Sequence, residues 1–192
     1  MPERNQPALD FLLTRRSRPA KTLATPVPGR AEVEVMLTAA ARSPDHGKLE
    51  PWRFVVLTRP ALERLAALAE ARLGAAGLDG DQVKKAMLQY ADAHLAIAVV
   101  SVPRPVVKIP RIEQILSAGA VCLALLNAAL ASGWGANWLT GKALEDETFL
   151  RQGLGLAEGE FVAGVIHIGT ETSAPPDRPR PDIAAITTWI EA

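Results

Sequence analysis

The stretch Ile112–Ser132 constrains this chain more than any other. It is apolar all round a helical wheel, rich in Ala, and closed by Gly133, a residue suited to ending a helix. A helix of this kind has to be covered on every side. Within it, Ile115–Ala131 is broken only by Ser117, Gly119 and Asn127. That run is shorter than the roughly 20 residues of a membrane span and stands alone, so it reads as a buried helix and not as an anchor. A chain of 192 residues forms a single domain, 1–192, with little material to wrap such a helix. A partner subunit is therefore expected to supply part of the cover.

The remaining elements follow from periodicity and punctuation. Leu95–Val102 is an uninterrupted apolar run, expected as a central strand covered on both faces. Arg53–Leu57 reads as a second buried strand, Phe161–Ile168 as a third, and Ala136–Leu139 as a short one. Helices are expected over Ala8–Arg16, with Leu9, Leu12 and Leu13 on one face, and over Ala31–Ala41, ended by Pro44. Pro60 opens another over Ala61–Leu73, Asp81 caps a short one over Gln82–Tyr90, and a further helix is expected near Asp146–Gln152. The loop Pro103–Pro110 carries Arg104 and Lys108. A proline-rich tail from Glu171 ends in an apolar segment, Ile183–Ile190, placed to drape over the body or over a neighbour. Helices and strands do not alternate regularly and no Gly-rich loop follows a strand, which disfavours Rossmann and P-loop domains.

Charge excludes some functions. With 21 basic and 21 acidic residues the chain is neutral, which argues against coating nucleic acid or an anionic membrane. The cluster Arg15, Arg16, Arg18 and Lys21 is the one feature a nucleic acid could use, and a solvated helix end is its simpler reading. Cys122 is the sole cysteine, so no intramolecular disulfide and no Cys/His zinc spacing exists. Without a signal-like N-terminus, the cytoplasm is the expected compartment.

Two polar segments stand out in this apolar background: Thr14-Arg15-Arg16-Ser17, and Arg42-Ser43-Pro44-Asp45-His46 leading to Pro51-Trp52-Arg53-Phe54. Guanidinium forks beside a serine hydroxyl suit a phosphate dianion, because several charge-assisted hydrogen bonds can converge on its oxygens. Each has a plainer reading. Arg15 and Arg16 could complement a helix dipole, His46 could be an exposed loop residue, and Trp52 and Trp138 could be core aromatics. Arg178 and Arg180 could reach a phosphate or lie in a solvated tail, and His94 and His167 read as structural.

The order of these motifs resembles the FMN-dependent nitroreductase family, closest to its minimal single-domain bacterial NAD(P)H nitroreductases. The likeness continues through Glu113 and Leu116-Ser117-Ala118-Gly119 in the long helix, then Gly133-Trp134-Gly135-Ala136-Asn137-Trp138-Leu139-Thr140-Gly141, and His167-Ile168-Gly169-Thr170. The resemblance implies an α+β fold, a central, mostly antiparallel sheet flanked by helices, in an intertwined homodimer with FMN at the subunit interface. It implies that Arg15, Arg16 and Ser17 bind the phosphate and ribityl end, with Arg42 and His46 reaching the FMN of the other subunit. Trp138, Leu139 and Thr140 match a third segment lining the flavin. Ala128, Ala129, Leu130, Ala131, Ser132 and Gly133 match a nicotinamide segment.

The sequence departs from the family pattern in places. Pro19 and Ala20 stand where a basic residue near the flavin N1 edge is common, leaving Arg18, Lys21 or Lys48 for that role. Glu50 replaces a usual Gln, and Leu139 sits where an Arg can occur. The implied chemistry is hydride transfer from NAD(P)H through FMN to a small-molecule electron acceptor, nitroaromatic or quinone, by a ping-pong cycle. It needs no protein nucleophile, and no catalytic triad is recognisable. A non-enzymatic FMN-binding or storage protein, and a narrower flavin dehydrogenase or dehalogenase of the same fold, are the alternatives.

Overall fold

The computed structural model describes residues 3–106 and 108–191. Val107, within the Pro103–Pro110 loop, lies outside the described residues. In chain order the main elements are α1 (Gln6–Thr14), β1 (Leu23–Ala24), α2 (Arg30–Ala40), β2 (Trp52–Thr58) and α3 (Arg59–Ala75). They continue with α4 (Gly80–Ala91), β3 (Leu95–Ser101), α5 (Arg111–Ala131), β4 (Gly135–Leu139) and β5 (Phe161–Glu171). The strands form one sheet in the order β1-β5-β3-β2, with β4 also paired to β5. Every pairing is antiparallel.

The apolar run of β3 is explained by a core on each face of the sheet. Ala96, Ala98 and Val100 join Leu62, Leu65 and Ala69 of α3, Tyr90 of α4 and Phe149. Leu95, Ile97 and Val99 point the other way, into Val33 and Met36 of α2 and Val121, Cys122 and Leu125 of α5. All seven residues of β3 are buried, so the strand shows no polar alternation. Each large side chain here contributes roughly 1.5–3 kcal/mol by leaving water. Ala at 96 and 98 lets α3 and α4 lie close.

Helix α2 runs antiparallel to α5 and is fastened at both ends. Trp134 Nε1, just past α5, donates to Glu32 Oε1 in the first turn of α2 at 3.2 Å. At the far end Ser117 Oγ donates to Pro44 O at 2.6 Å. These bonds matter for the site, because they set which loop lies at which end of α5.

Several sequence expectations change. β2 is not a buried strand: it is the sheet edge, and all of its residues except Leu57 are at least partly exposed. Its β-branched content reports strand propensity and does not separate an edge from a centre. Asp79, and not Asp81, caps α4, its Oδ1 accepting from Asp81 N and Gln82 N, both at 3.0 Å. α1 stops at Thr14, leaving Arg15 and Arg16 outside the helix. A helix does stand where one is expected near Asp146–Gln152, but it takes the wider π form over Phe149–Gly153.

α5 is long and apolar enough to cross a membrane, yet one side of it packs on the sheet and α2. The other side is not covered by the described residues: Ile112 (58% exposed), Leu116 (65%) and Leu123 (45%) form an apolar stripe. Leu9, Leu12 and Leu13 of α1 and Ile183, Ile186, Trp189 and Ile190 of the tail are exposed as well.

Candidate functional site

The first segment leaves α1 abruptly. Arg15 is extended (φ −55°, ψ 143°) and its N–H closes the helix on Phe11 O at 2.7 Å. The next residues run onto β4 and are pinned there. Arg18 N donates to Ala136 O at 2.8 Å, and Asn137 Nδ2 donates to Arg18 O at 2.8 Å. Arg15 Nη2 donates to Ser17 Oγ at 3.0 Å, and Arg16 Nη1 donates to Ser17 O at 3.3 Å. The three side chains predicted to take a phosphate are therefore gathered by the backbone.

This gathering leaves donors unspent. Arg15 Nε and Arg16 Nε are both buried with no hydrogen-bond partner among the described residues. A buried donor left unpaired costs about 1–3 kcal/mol, more when charged, so two in one cluster mark a place for an acceptor. Burial, then the nearby charges of Arg180 and Arg16, hold the Arg15 guanidinium below its ordinary pKa. Arg180, from the tail, is near enough for its charge to be felt, but it is exposed and paired with Asp177 Oδ1 at 3.2 Å. A dianion with several oxygens meets the need of all these groups at once, and the residues present fit the phosphate of FMN.

Arg18 is committed elsewhere. Its Nε pairs with Glu171 Oε2 at 3.0 Å, both side chains about three-quarters buried. The carboxylate offsets the charge that could otherwise serve the flavin edge.

The third segment is β4 itself. Trp138 pairs with Ile166 and lies so closely over Gly164 that a Cβ there would run into the indole. Its ring is half-buried in the α5-side core, so packing accounts for much of its position. Leu139 is half-buried and Thr140 exposed at the strand end.

The second segment lies elsewhere in the protomer. His46 Nδ1 and Glu113 Oε2 are 2.6 Å apart, and Glu113 is in the first turn of α5. Arg42 is exposed, just past α2. The loop holding His46 contains three residues in the left-handed region: Gly47 (φ 76°), Lys48 (φ 53°) and Glu50 (φ 47°). For Lys48 and Glu50 this conformation carries strain, of a kind that gathers at functional loops. Asp45 Oδ2 supports it by accepting from Glu50 N at 2.7 Å.

Arg42 and His46 thus sit at the N-terminal end of α5, whereas Arg15–Ser17 are tied to β4, which begins just beyond its C-terminal end. A helix of 21 residues is about 30 Å long. Within this one chain the two segments are not brought together.

The residues Ala128–Gly133 form the last turn of α5 and its exit. Ser132 Oγ donates back to Ala128 O at 2.8 Å, and Gly133 turns the chain at φ 85°. This is the negative end of the helix dipole and carries no cationic side chain.

A family model described as the nitroreductase family matches residues 12–170. The chain belongs to the nitroreductase family. The Escherichia coli K12 protein YdjA, named as an NAD(P)H nitroreductase, is 37% identical over 163 residues, covering 85% of this chain and 87% of that one. A Haemophilus influenzae protein named likewise is 37% identical over 164 residues, covering 85% and 88%. The crystal structure of a nitroreductase-like protein from Bacillus cereus superposes with a TM-score of 0.79 at 22% identity, over 100% of both chains. A Desulfovibrio desulfuricans structure solved in complex with FMN gives a TM-score of 0.75 at 21% identity, over 99% of this chain and 100% of that one. These structures share the fold: α+β, with an antiparallel sheet flanked by helices.

Some groups that shape this nitroreductase-family region have roles the sequence does not assign. Asn137, which clamps Arg18, stands inside a recognisable motif that attaches no role to it. The same holds for Glu113, the partner of His46.

Proposed function

We propose that this chain is an FMN-dependent oxidoreductase that takes hydride from NAD(P)H and reduces nitroaromatic, quinone or similar acceptors by a ping-pong cycle. The observation that carries the reading is the pair of buried Nε donors of Arg15 and Arg16, without a partner among the described residues and gathered at Ser17. Arg15, Arg16 and Ser17 hold the phosphate. Trp138, Leu139 and Thr140 line the isoalloxazine. When bound, FMN supplies the redox chemistry, accepting hydride and passing electrons on. The protein's own part is to orient the cofactor, exclude water and place charge. Ala128–Gly133 offer the nicotinamide cofactor van der Waals surface and no charged group.

The working unit of this reading is a homodimer. Arg42 and His46 lie at the wrong end of α5 to join Arg15 of their own protomer, so a second copy brings them in. The exposed stripe Ile112, Leu116 and Leu123 is the surface through which it does so. Covering that stripe also answers the requirement that α5 be enclosed on every side.

The test is a visible spectrum of the purified protein, followed by anaerobic addition of NADPH or NADH. A flavin spectrum that bleaches with either, and recovers with an added quinone or nitroaromatic, is the expected result. Bound flavin that no nicotinamide reduces would favour a non-enzymatic FMN-binding role. A colourless protein that also refuses added FMN would overturn the reading.

A further inference from the structure

A cavity of about 300 Å³ lies between α4 and the turn after β4, at the other end of β4 from the arginine cluster. Gln82, Lys85 and Gln89 line it from α4, and Thr140, Gly141 and Lys142 from the turn. No carboxylate lines it. Lys142 Nζ is engaged by Glu145 Oε2 at 2.8 Å, whereas Lys85 has no ion-pair partner among the described residues. Gln89 Nε2 is buried and makes no hydrogen bond among the described residues. The carboxamide oxygen of the same side chain presses on Gly141, where a Cβ would come within 2.5 Å of it. Gly141 is extended (φ −174°), so it is the close approach of Gln89, not the backbone conformation, that excludes a side chain there.

A free ammonium, a hydroxyl and an amide with an unused donor match a planar edge that carries carbonyl oxygens and gains negative charge. The pyrimidine edge of an isoalloxazine has two carbonyls about an imide N–H and becomes anionic on two-electron reduction. The geometry points to Lys85 as the cation that stabilises that edge, with Gln89 and Gly141 positioning the strand end beside it. This rests on the flavin reading above. Other cations are less well placed. Arg18 is neutralised by Glu171. Lys21 belongs to the turn before β1, which pairs with β5 at Thr170 and Glu171, far along that strand from Val165 opposite Leu139. Lys48 is on the His46 loop.

The experiment uses flavin-loaded wild type with Lys85→Ala, Lys85→Met, Lys85→Arg and, as a control on the same helix outside the cavity, Lys84→Ala. FMN affinity is read by fluorescence titration and the midpoint potential by anaerobic dye equilibration. Loss of the Lys85 charge is expected to weaken binding of the reduced flavin about tenfold more than the oxidised, which lowers a two-electron potential by about 30 mV. Lys85→Arg and Lys84→Ala keep the wild-type potential. Flavin-loaded Lys85→Ala and Lys85→Met at the wild-type potential would overturn this inference and leave the flavoprotein reading intact. An equal drop in Lys84→Ala would also overturn it, reducing the effect to net charge. Wild type that takes up no flavin would remove both.

Discussion

Replacing Arg15 by Ala separates phosphate recognition from everything else the first segment does. The guanidinium is partly buried, its Nε has no partner among the described residues, and the charges of Arg16 and Arg180 act on it. With no anion present this arrangement is costly, because like charges face one another in a medium that screens them less than water does. With a phosphate present each charge-assisted bond is worth about 1.5–3 kcal/mol. Arg15→Ala is therefore expected to weaken FMN binding roughly 10- to 150-fold, at about 1.4 kcal/mol per factor of ten. Riboflavin has the same ring and ribityl chain without the phosphate, so its affinity should stay within about a factor of two on the same principle. The thermal stability of the flavin-free protein should hold or rise, since a repulsion has been removed. Stripped protein is titrated with FMN and with riboflavin by flavin fluorescence quenching, and melting is followed with and without inorganic phosphate. Equal losses for the two flavins would show that Arg15 acts through packing, through its bond to Ser17, and would refute the phosphate assignment.

Three further outcomes follow from other parts of the molecule. Leu116→Glu puts a charge in the middle of the exposed α5 stripe and should give a monomer that has lost its flavin; sedimentation showing a flavin-loaded dimer would exclude that face as the interface. Mixed dimers of Arg15→Ala and His46→Ala chains should recover about half the flavin of wild type, because one of two sites then has both native segments; no recovery would mean that the two residues serve the same protomer's site. His167 is buried (2% exposed), with its pKa pushed down from 6.5 to about 4 by desolvation. Its contribution is fully present above about pH 6.5 and is lost as pH falls towards 4, by on the order of 3 kcal/mol. Urea midpoints at fixed protein and FMN concentration should drop over that window in wild type and less in His167→Asn, and parallel slopes would rule the histidine out.

What can be read in advance depends on whether a residue's role is local. β3 is legible because a strand with a core on each face needs seven apolar residues in succession, and α5 because no other arrangement tolerates so much Ala and Leu. Arg15, Arg16 and Ser17 are legible as adjacent residues of complementary chemistry. The end of α1 is not: Arg15 leaves the helix because the following residues are drawn onto β4 by Arg18 and Asn137, 119 positions apart in the chain. Lys85 and Gln89 look like the solvated face of an amphipathic helix, and only the packing of α4 beside Thr140 and Gly141 gives them a cavity to line. β2 misleads for the same reason, since its neighbours, not its composition, make it an edge.

On the proposed function, α5 separates the two halves of the site and also supplies the means of joining them. Its N-terminal turn holds His46 through Glu113, the strand after its C-terminus holds Arg18 through Ala136 and Asn137, and its uncovered stripe runs between. In this reading a protomer alone has an apolar face in water and an arginine cluster without an anion. Association covers the first, and the cofactor answers the second. The two events are linked, because a ligand that binds only the assembled form stabilises it by RT ln(1 + [L]/Kd), about 2.7 kcal/mol at a hundredfold excess over Kd. Removing the phosphate contacts should therefore loosen the dimer even though Arg15 and Arg16 are not on the stripe. The size of that loosening, measured as the shift in the dimer dissociation constant between flavin-saturated and flavin-free protein, gives the coupling between cofactor and partner directly.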